Sequence, residues 1–148
     1  MASRLASVYR AALQPNRVRL AAIFHPAAGV SPQQFSHYWL NEHGKIFISL
    51  NVVRNNLTKY EQFHFDTPLT GDVAVAMGSS SATASFYGMA VFEAESYDKI
   101  FQVFADPEYQ RVVFPDEQKL LDRGRSQLFA GQVATVWEKA RASEVERV

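Results

Sequence analysis

Two histidines, a tyrosine and a glutamine are the side chains of this sequence best equipped for chemistry. His43 recurs with Phe35, Tyr38, Trp39, Glu42, Ile46 and Phe47 at three- and four-residue spacing. On a helix that spacing makes one stripe, and the stripe faces apolar surroundings. Tyr60, Gln62 and His64 alternate along an extended run, so period two sets them on one strand face. Three polar side chains on one face are costly to bury unless they pair or meet a ligand. An imidazole supplies a general acid or base, and a phenol and an amide supply donors for a developing oxyanion. Each residue also has a plain structural reading. His43 could be a core histidine bonded to backbone, and the Tyr60 face could be solvated. His25, at a strand end, is either a third polar partner or an ordinary loop histidine. His37, off the stripe and next to Ser36, reads as a surface residue. Tyr38, Trp39 and Phe47 read as core or pocket wall. Glu42 either orients a neighbouring ring or is a solvated helix-edge carboxylate.

Other chemistries find little support. The chain has 148 residues and no cysteine, which excludes disulfides, thiolate-bound metals and thiol nucleophiles. Neither HExxH nor a His-x-His pair occurs, so no catalytic metal is expected. No GxGxxG or GxxxxGK[ST] motif is present, so no nucleotide cofactor is expected either. Ser79, Ser80 and Ser81 lack a nucleophile-elbow context and read as a flexible tip. Lys plus Arg equals Asp plus Glu at 15 each, a balance that argues against nucleic acid as a partner. No apolar run approaches the roughly 20 residues of a membrane span. The segment before Glu42 carries Arg4, Arg10, Arg17 and Arg19 and no acid. It reads as a short leading helix or loose tail ending at Pro15-Asn16, with a mitochondrial presequence as the alternative, and the expected location is cytoplasmic.

The elements that must position these residues follow from pattern. Val18–Phe24 reads as a central strand that stops at His25-Pro26. Ser31, Pro32 and Gln34 make a capping box with proline at the first helical position, and Gly44 should loosen that helix just past His43. Leu57–Phe65 is a second strand. Asp66–Ala82, with Pro68, Gly71 and Gly78-Ser79-Ser80-Ser81, reads as a long loop that could act as a lid. Ala84–Glu93 is a third strand interrupted by Gly88. Ser96 caps a second helix with Tyr97, Ile100, Phe101 and Phe104 on one stripe, broken at Asp106-Pro107. Pro115-Asp116-Glu117 starts a short helical piece, Ser126–Trp137 is the last strand, and Glu138 onward is a charged tail. With 47% hydrophobic and 13% aromatic residues, the chain can form a core without staples. The order β-α-β-β-α-β is the ferredoxin-like split βαβ pattern, an α+β fold in a single domain spanning 1–148. Helices on one sheet face leave the other bare, so two sheets should pack face to face as a homodimer.

Within this frame, Gly29-Val30-Ser31-Pro32-Gln33-Gln34-Phe35, Tyr38-Trp39 and His43-Gly44 resemble the first signature of the EthD family. Tyr60-x-Gln62-x-His64 resembles its second-strand signature, and Ala105-Asp106-Pro107-Glu108-Tyr109 its segment after the second helix. The resemblance spans roughly Val18 to Trp137. It implies a dimeric α+β barrel and, from similar fungal proteins, a small cofactor-free enzyme of polyketide pathways. Decarboxylation of a polyketide carboxylic acid is the first activity it implies, with cyclisation or dehydration beside it. Where relatives often carry Asp-Gly on the third strand, this chain has Tyr87-Gly88. Where they often carry Lys or Arg after the first strand, it has His25-Pro26-Ala27. The expected pocket is therefore less charged and suited to an aromatic ligand. Under this reading His43, His64 and Tyr60 are catalytic, and Gln62, His25, Trp39, Tyr38, Phe47 and Tyr87 bind substrate. A carrier that binds an aromatic metabolite without changing it is the reading from a different class.

Overall fold

The computed structural model of the chain describes residues 11–80 and 86–140. Its first element is the strand β1, Gln14–Pro26. It is longer than Val18–Phe24 at both ends, because pairing with the last strand runs from Gln14 to Pro26. Pro15 and Asn16 therefore lie in the strand and do not end a loose tail. Gly29, at φ +79°, turns the chain in the left-handed region that favours glycine.

The capping box forms as read. The Gln34 amide N–H donates to Ser31 Oγ at 3.1 Å, and the Ser31 N–H donates to Gln34 Oε1 at 3.0 Å. It opens α1, Pro32–Tyr38, which continues through a π turn, Trp39–His43, into α2, Gly44–Ser49. The irregularity thus precedes Gly44. The Gly44 N–H donates to the Trp39 carbonyl across the extra residue. This wider turn brings both Trp39 and His43 to the buried side. A short helix α3, Asn51–Asn56, leads to β2, Lys59–His64.

The segment read as a long loop is instead largely helical. Asp66 caps α4, Thr67–Ala76, by accepting from the Leu69 N–H at 2.9 Å. Pro68 sits in the first turn, where its missing N–H costs nothing, so the proline that suggested a loop is a helix-start signal. None of the residues of α4 is buried. Of the third strand, β3 runs Gly88–Ala94; the expected start at Ala84 lies outside the described residues. Ser96 caps α5, Tyr97–Ala105, which stops before Pro107 as read. A second π turn, Tyr109–Val113, leads into α6, Phe114–Gln118. The final strand β4, Leu121–Val133, begins five residues before Ser126 because Leu121 already pairs with Pro26.

The four strands form one antiparallel sheet in the order β2-β3-β1-β4, the ferredoxin-like arrangement. Leu20 and Ala22 of β1 lie opposite Phe92 and Ala90 of β3, and their face carries the core. Phe35, Trp39, Phe47, Val103, Tyr109 and Val113 pack onto it from the helical side. Trp39 fits because Gly88 has no side chain: a Cβ there would stand 2.5 Å from the indole Cζ3. On the opposite face, Phe63 and Phe129 are 58% and 55% exposed. There Glu93 accepts from Arg19 and Arg17, and these bonds outweigh burial and hold its carboxyl below the usual range. No helix among the described residues is long and apolar enough to cross a membrane.

Candidate functional site

Between the sheet and the helices lies a cavity of about 310 Å³. Its walls are mainly apolar: Leu20, Ala22 and Phe24 of β1, Phe92 of β3, and Trp39 and Phe47 from the helical side. Phe101 and Leu128, both more than half exposed, also line it. The polar side chains on its lining are His43, Tyr60, Tyr109, Glu117, Arg123 and Ser126. A small apolar chamber with a few convergent polar groups is the usual form of a small-molecule site.

His43 is placed by the π turn and fixed by a residue 73 positions away. Its Nδ1–H donates to Asp116 Oδ2 at 2.8 Å, and both residues are buried, at 7% and 6% exposure. The other Asp116 oxygen accepts from the Tyr38 hydroxyl. That bond, with partial burial and the carboxylate charge, pushes the Tyr38 phenol up to about 12. Lys119 Nζ stands 3.8 Å from the same oxygen. Because a carboxylate only accepts, His43 Nδ1 carries a proton and Nε2 is the ring atom left for chemistry. An imidazolium formed there would be compensated by Asp116. Glu42, the carboxylate next to His43 in sequence, is exposed, and Asp116 holds the ring instead.

Tyr60 enters from β2, with its ring 4.8 Å from Phe47 and stacked on Phe92 at 5.4 Å. Burial pushes its phenol up, against the pull of the Gln62 amide and the Trp39 indole. A second polar cluster closes the wall. Arg123 Nε and Nη2 donate to Glu117 at 2.9 and 3.0 Å, and Tyr109 donates to Glu117 Oε1 at 3.1 Å. Burial, followed by the Glu117 charge, pushes the Tyr109 phenol up, and the bond to Glu117 raises Arg123. The Arg123 guanidinium lies 4.8 Å over the Phe114 ring.

Of the residues singled out by sequence, His43, Tyr60, Trp39 and Phe47 share this cavity. Gln62 and His64 do not line it, although they share the strand face with Tyr60. His64 lies in a shallow outer groove with Ser36, Leu40, Phe65 and Pro68, where burial lowers its imidazole pKa. The ring stays in contact with Trp39, centroids 4.8 Å apart. Tyr38 acts on Asp116 and is not on the cavity lining. Tyr87 packs edge-on against Phe35 at 5.7 Å, and His25 Nδ1 stands 2.9 Å from its neighbour's carbonyl; neither lines the cavity. His37 is exposed, as read. Of the segment expected as a lid, no described residue lines this cavity, and Asp66, Thr67 and Pro68 line the outer groove; residues 81 and 82 lie outside the described residues. Sequence reasoning missed Asp116, Glu117 and Arg123. Their types, Asp116 and Glu117 in the short helix α6 and Arg123 near the start of β4, carry no mark of burial, and only the fold pairs them. Among the described residues no group of three or more His, Asp or Glu is arranged to hold a metal ion.

Sheet order and helical layer place the protein in the ferredoxin-like α+β class. The chain belongs to the EthD domain family, whose model matches residues 27–124. No curated protein matches its sequence. Among solved structures, an ethyl tert-butyl ether D (EthD) family protein from Bacillus halodurans is similar, with TM-score 0.52 at 19% identity, over 78% of this chain and 96% of that one. A dimeric protein of unknown function and ferredoxin-like fold from Bacteroides fragilis gives 0.55 at 10% identity, over 82% and 100%. Hydroxynitrile lyase from Passiflora edulis gives 0.52 at 10% identity, over 81% and 95%. At these identities the likeness is one of fold.

Proposed function

We propose that the protein is a cofactor-independent lyase that decarboxylates an aromatic, polyketide-type carboxylic acid. The observation that carries the reading is His43, held by buried Asp116 on the wall of an apolar cavity that Tyr60 also lines. A substrate with a keto or phenol oxygen near its carboxylate can delocalise the electron pair left when the carbon–carboxylate bond breaks. Tyr60 donates to that oxygen as charge develops on it, and the apolar walls strengthen the bond by keeping water out. CO2 leaves, and His43 Nε2–H delivers its proton to the carbanionic carbon. Solvent then restores the imidazolium, with Asp116 holding the ring in place throughout. The resemblance to polyketide-tailoring relatives supplies the substrate class. The hydroxynitrile lyase of the same fold is a lyase by name, which accords with a lyase on this scaffold.

The bare sheet face supports a homodimer. Phe63, Met89 and Ile23 lie in one cross-strand row, and Val91, Ala21 and Phe129 in the next, all on the side opposite the core. A two-fold axis would bury this patch against its own copy, and the Bacteroides fragilis relative is a dimeric protein.

The test is incubation of purified protein with an anthraquinone-type polyketide carboxylic acid, in chelator and without cofactor, followed by mass spectrometry. Loss of CO2 beyond the spontaneous rate is the expected result. Loss of water would shift the assignment to cyclase or dehydratase chemistry at the same residues. Tight binding with unchanged mass would make the protein a carrier.

A further inference from the structure

A chain of hydrogen bonds with one fixed direction runs from the outer groove to the cavity. The Trp39 carbonyl can only accept, so the Gln62 atom 3.0 Å from it is the amide nitrogen. Gln62 Oε1 therefore faces His64, whose Nε2, at 2.9 Å, must carry the proton. His64 Nδ1 is then the acceptor for the Ser36 hydroxyl at 2.7 Å. The second Gln62 N–H goes to the Tyr60 oxygen at 3.0 Å. Gly44 leaves room for this arrangement, since a Cβ there would stand 3.1 Å from Gln62 Nε2. The Tyr60 oxygen is thus an acceptor towards its protein neighbour. Its own hydrogen finds no acceptor among the described residues and remains for whatever occupies the cavity. At His43 the logic is the reverse: Nδ1–H is committed to Asp116, and on the neutral ring, the state left once Nε2 has given up its proton, Nε2 offers a lone pair.

We infer that the cavity is a paired donor–acceptor site, selecting an aryl ketone whose carbonyl oxygen accepts from Tyr60 and whose nearby acidic O–H or C–H meets His43 Nε2. This rests on the reading that the cavity takes an aromatic ligand, and it narrows that ligand to hydroxylated or enolisable aryl ketones. Gln62 is the positioning residue that sets the polarity, although it touches no ligand itself.

Calorimetric titration of the full chain with three probes of similar size tests this: 2-acetylnaphthalene, 2-naphthol and 2-ethylnaphthalene. The ketone and the naphthol are each expected to bind about fivefold more tightly than the hydrocarbon, the ratio an ordinary net hydrogen bond sustains. In Gln62→Glu the new carboxylate accepts the Tyr60 hydrogen, so the ketone's advantage should vanish while the naphthol's persists. Tyr60→Phe, which needs no rearrangement around residue 62, should likewise erase only the ketone's advantage. A ketone preference unchanged in either variant would overturn the inference. Equal binding of all three probes would overturn it too, while leaving the aromatic cavity standing. No binding of any probe would remove both.

Discussion

Behind His43 one buried carboxylate, Asp116, holds two side chains at once, Tyr38 through one oxygen and His43 through the other. Replacing it by an amide keeps the shape but leaves one acceptor oxygen for two donors, so the imidazole tautomer is no longer fixed, and it removes the charge that offsets an imidazolium. Asp116→Asn should therefore lower turnover of a competent substrate by about a hundredfold, within the range of general acid–base contributions. Substrate binding, followed by calorimetry, should change little. A second residue-scale prediction concerns His64. Burial lowers its pKa from 6.5, so the fold favours the neutral ring. Its stabilisation is complete above pH 6.5 and is lost as pH falls from there through the folded-state value. Thermal melts below pH 6.5 should show a steeper loss of stability in the wild type than in His64→Gln, whose side chain does not titrate. At this scale the sequence was half legible. Period two correctly aligned Tyr60, Gln62 and His64, and helical spacing put His43 on a buried stripe. The partner of His43 was not legible, because a contact across 73 residues exists only after β4 and α6 have closed over the helix.

At the scale of elements, the π turn and the glycine opposite it set the shape of the cavity. The wider turn carries Trp39 and His43 inward together, and the indole then lies where a Cβ on Gly88 would be. Gly88→Ala must displace the indole or the strand, and overpacking of this kind costs about 1–3 kcal/mol. The expected result is a lower melting temperature with altered tryptophan fluorescence; an unchanged protein would show that the indole has other room. Helix starts were readable because caps are local chemistry: Ser31, Ser96 and the break at Pro107 behave as their residue types dictate. The π turn has no such local signature. The helix α4 was misread because Pro68 and Gly71 suggest a loop when the Asp66 cap before them is overlooked.

For the molecule as a whole, the alternation of strands and helices was enough to give the ferredoxin-like fold class, since few topologies accommodate β-α-β-β-α-β. On the outer face stand Phe63 and Phe129, both more than half exposed, flanked by the Arg17–Glu93–Arg19 cluster. If that face is the dimer interface, Phe63→Glu combined with Phe129→Glu should convert a dimer into a folded monomer in analytical ultracentrifugation. A wild-type protein sedimenting as a monomer at high concentration would contradict the assembly.

In the proposed mechanism His43 gives a proton to carbon inside this cavity. Reaction of an anthraquinone-type polyketide carboxylic acid in D2O, compared between wild type and His43→Gln, tests it most directly. The expected result is enzyme-dependent loss of CO2, with deuterium at the carbon that bore the carboxylate, and near-complete loss of rate in the variant while calorimetry still shows ligand binding. Full activity in His43→Gln would contradict it.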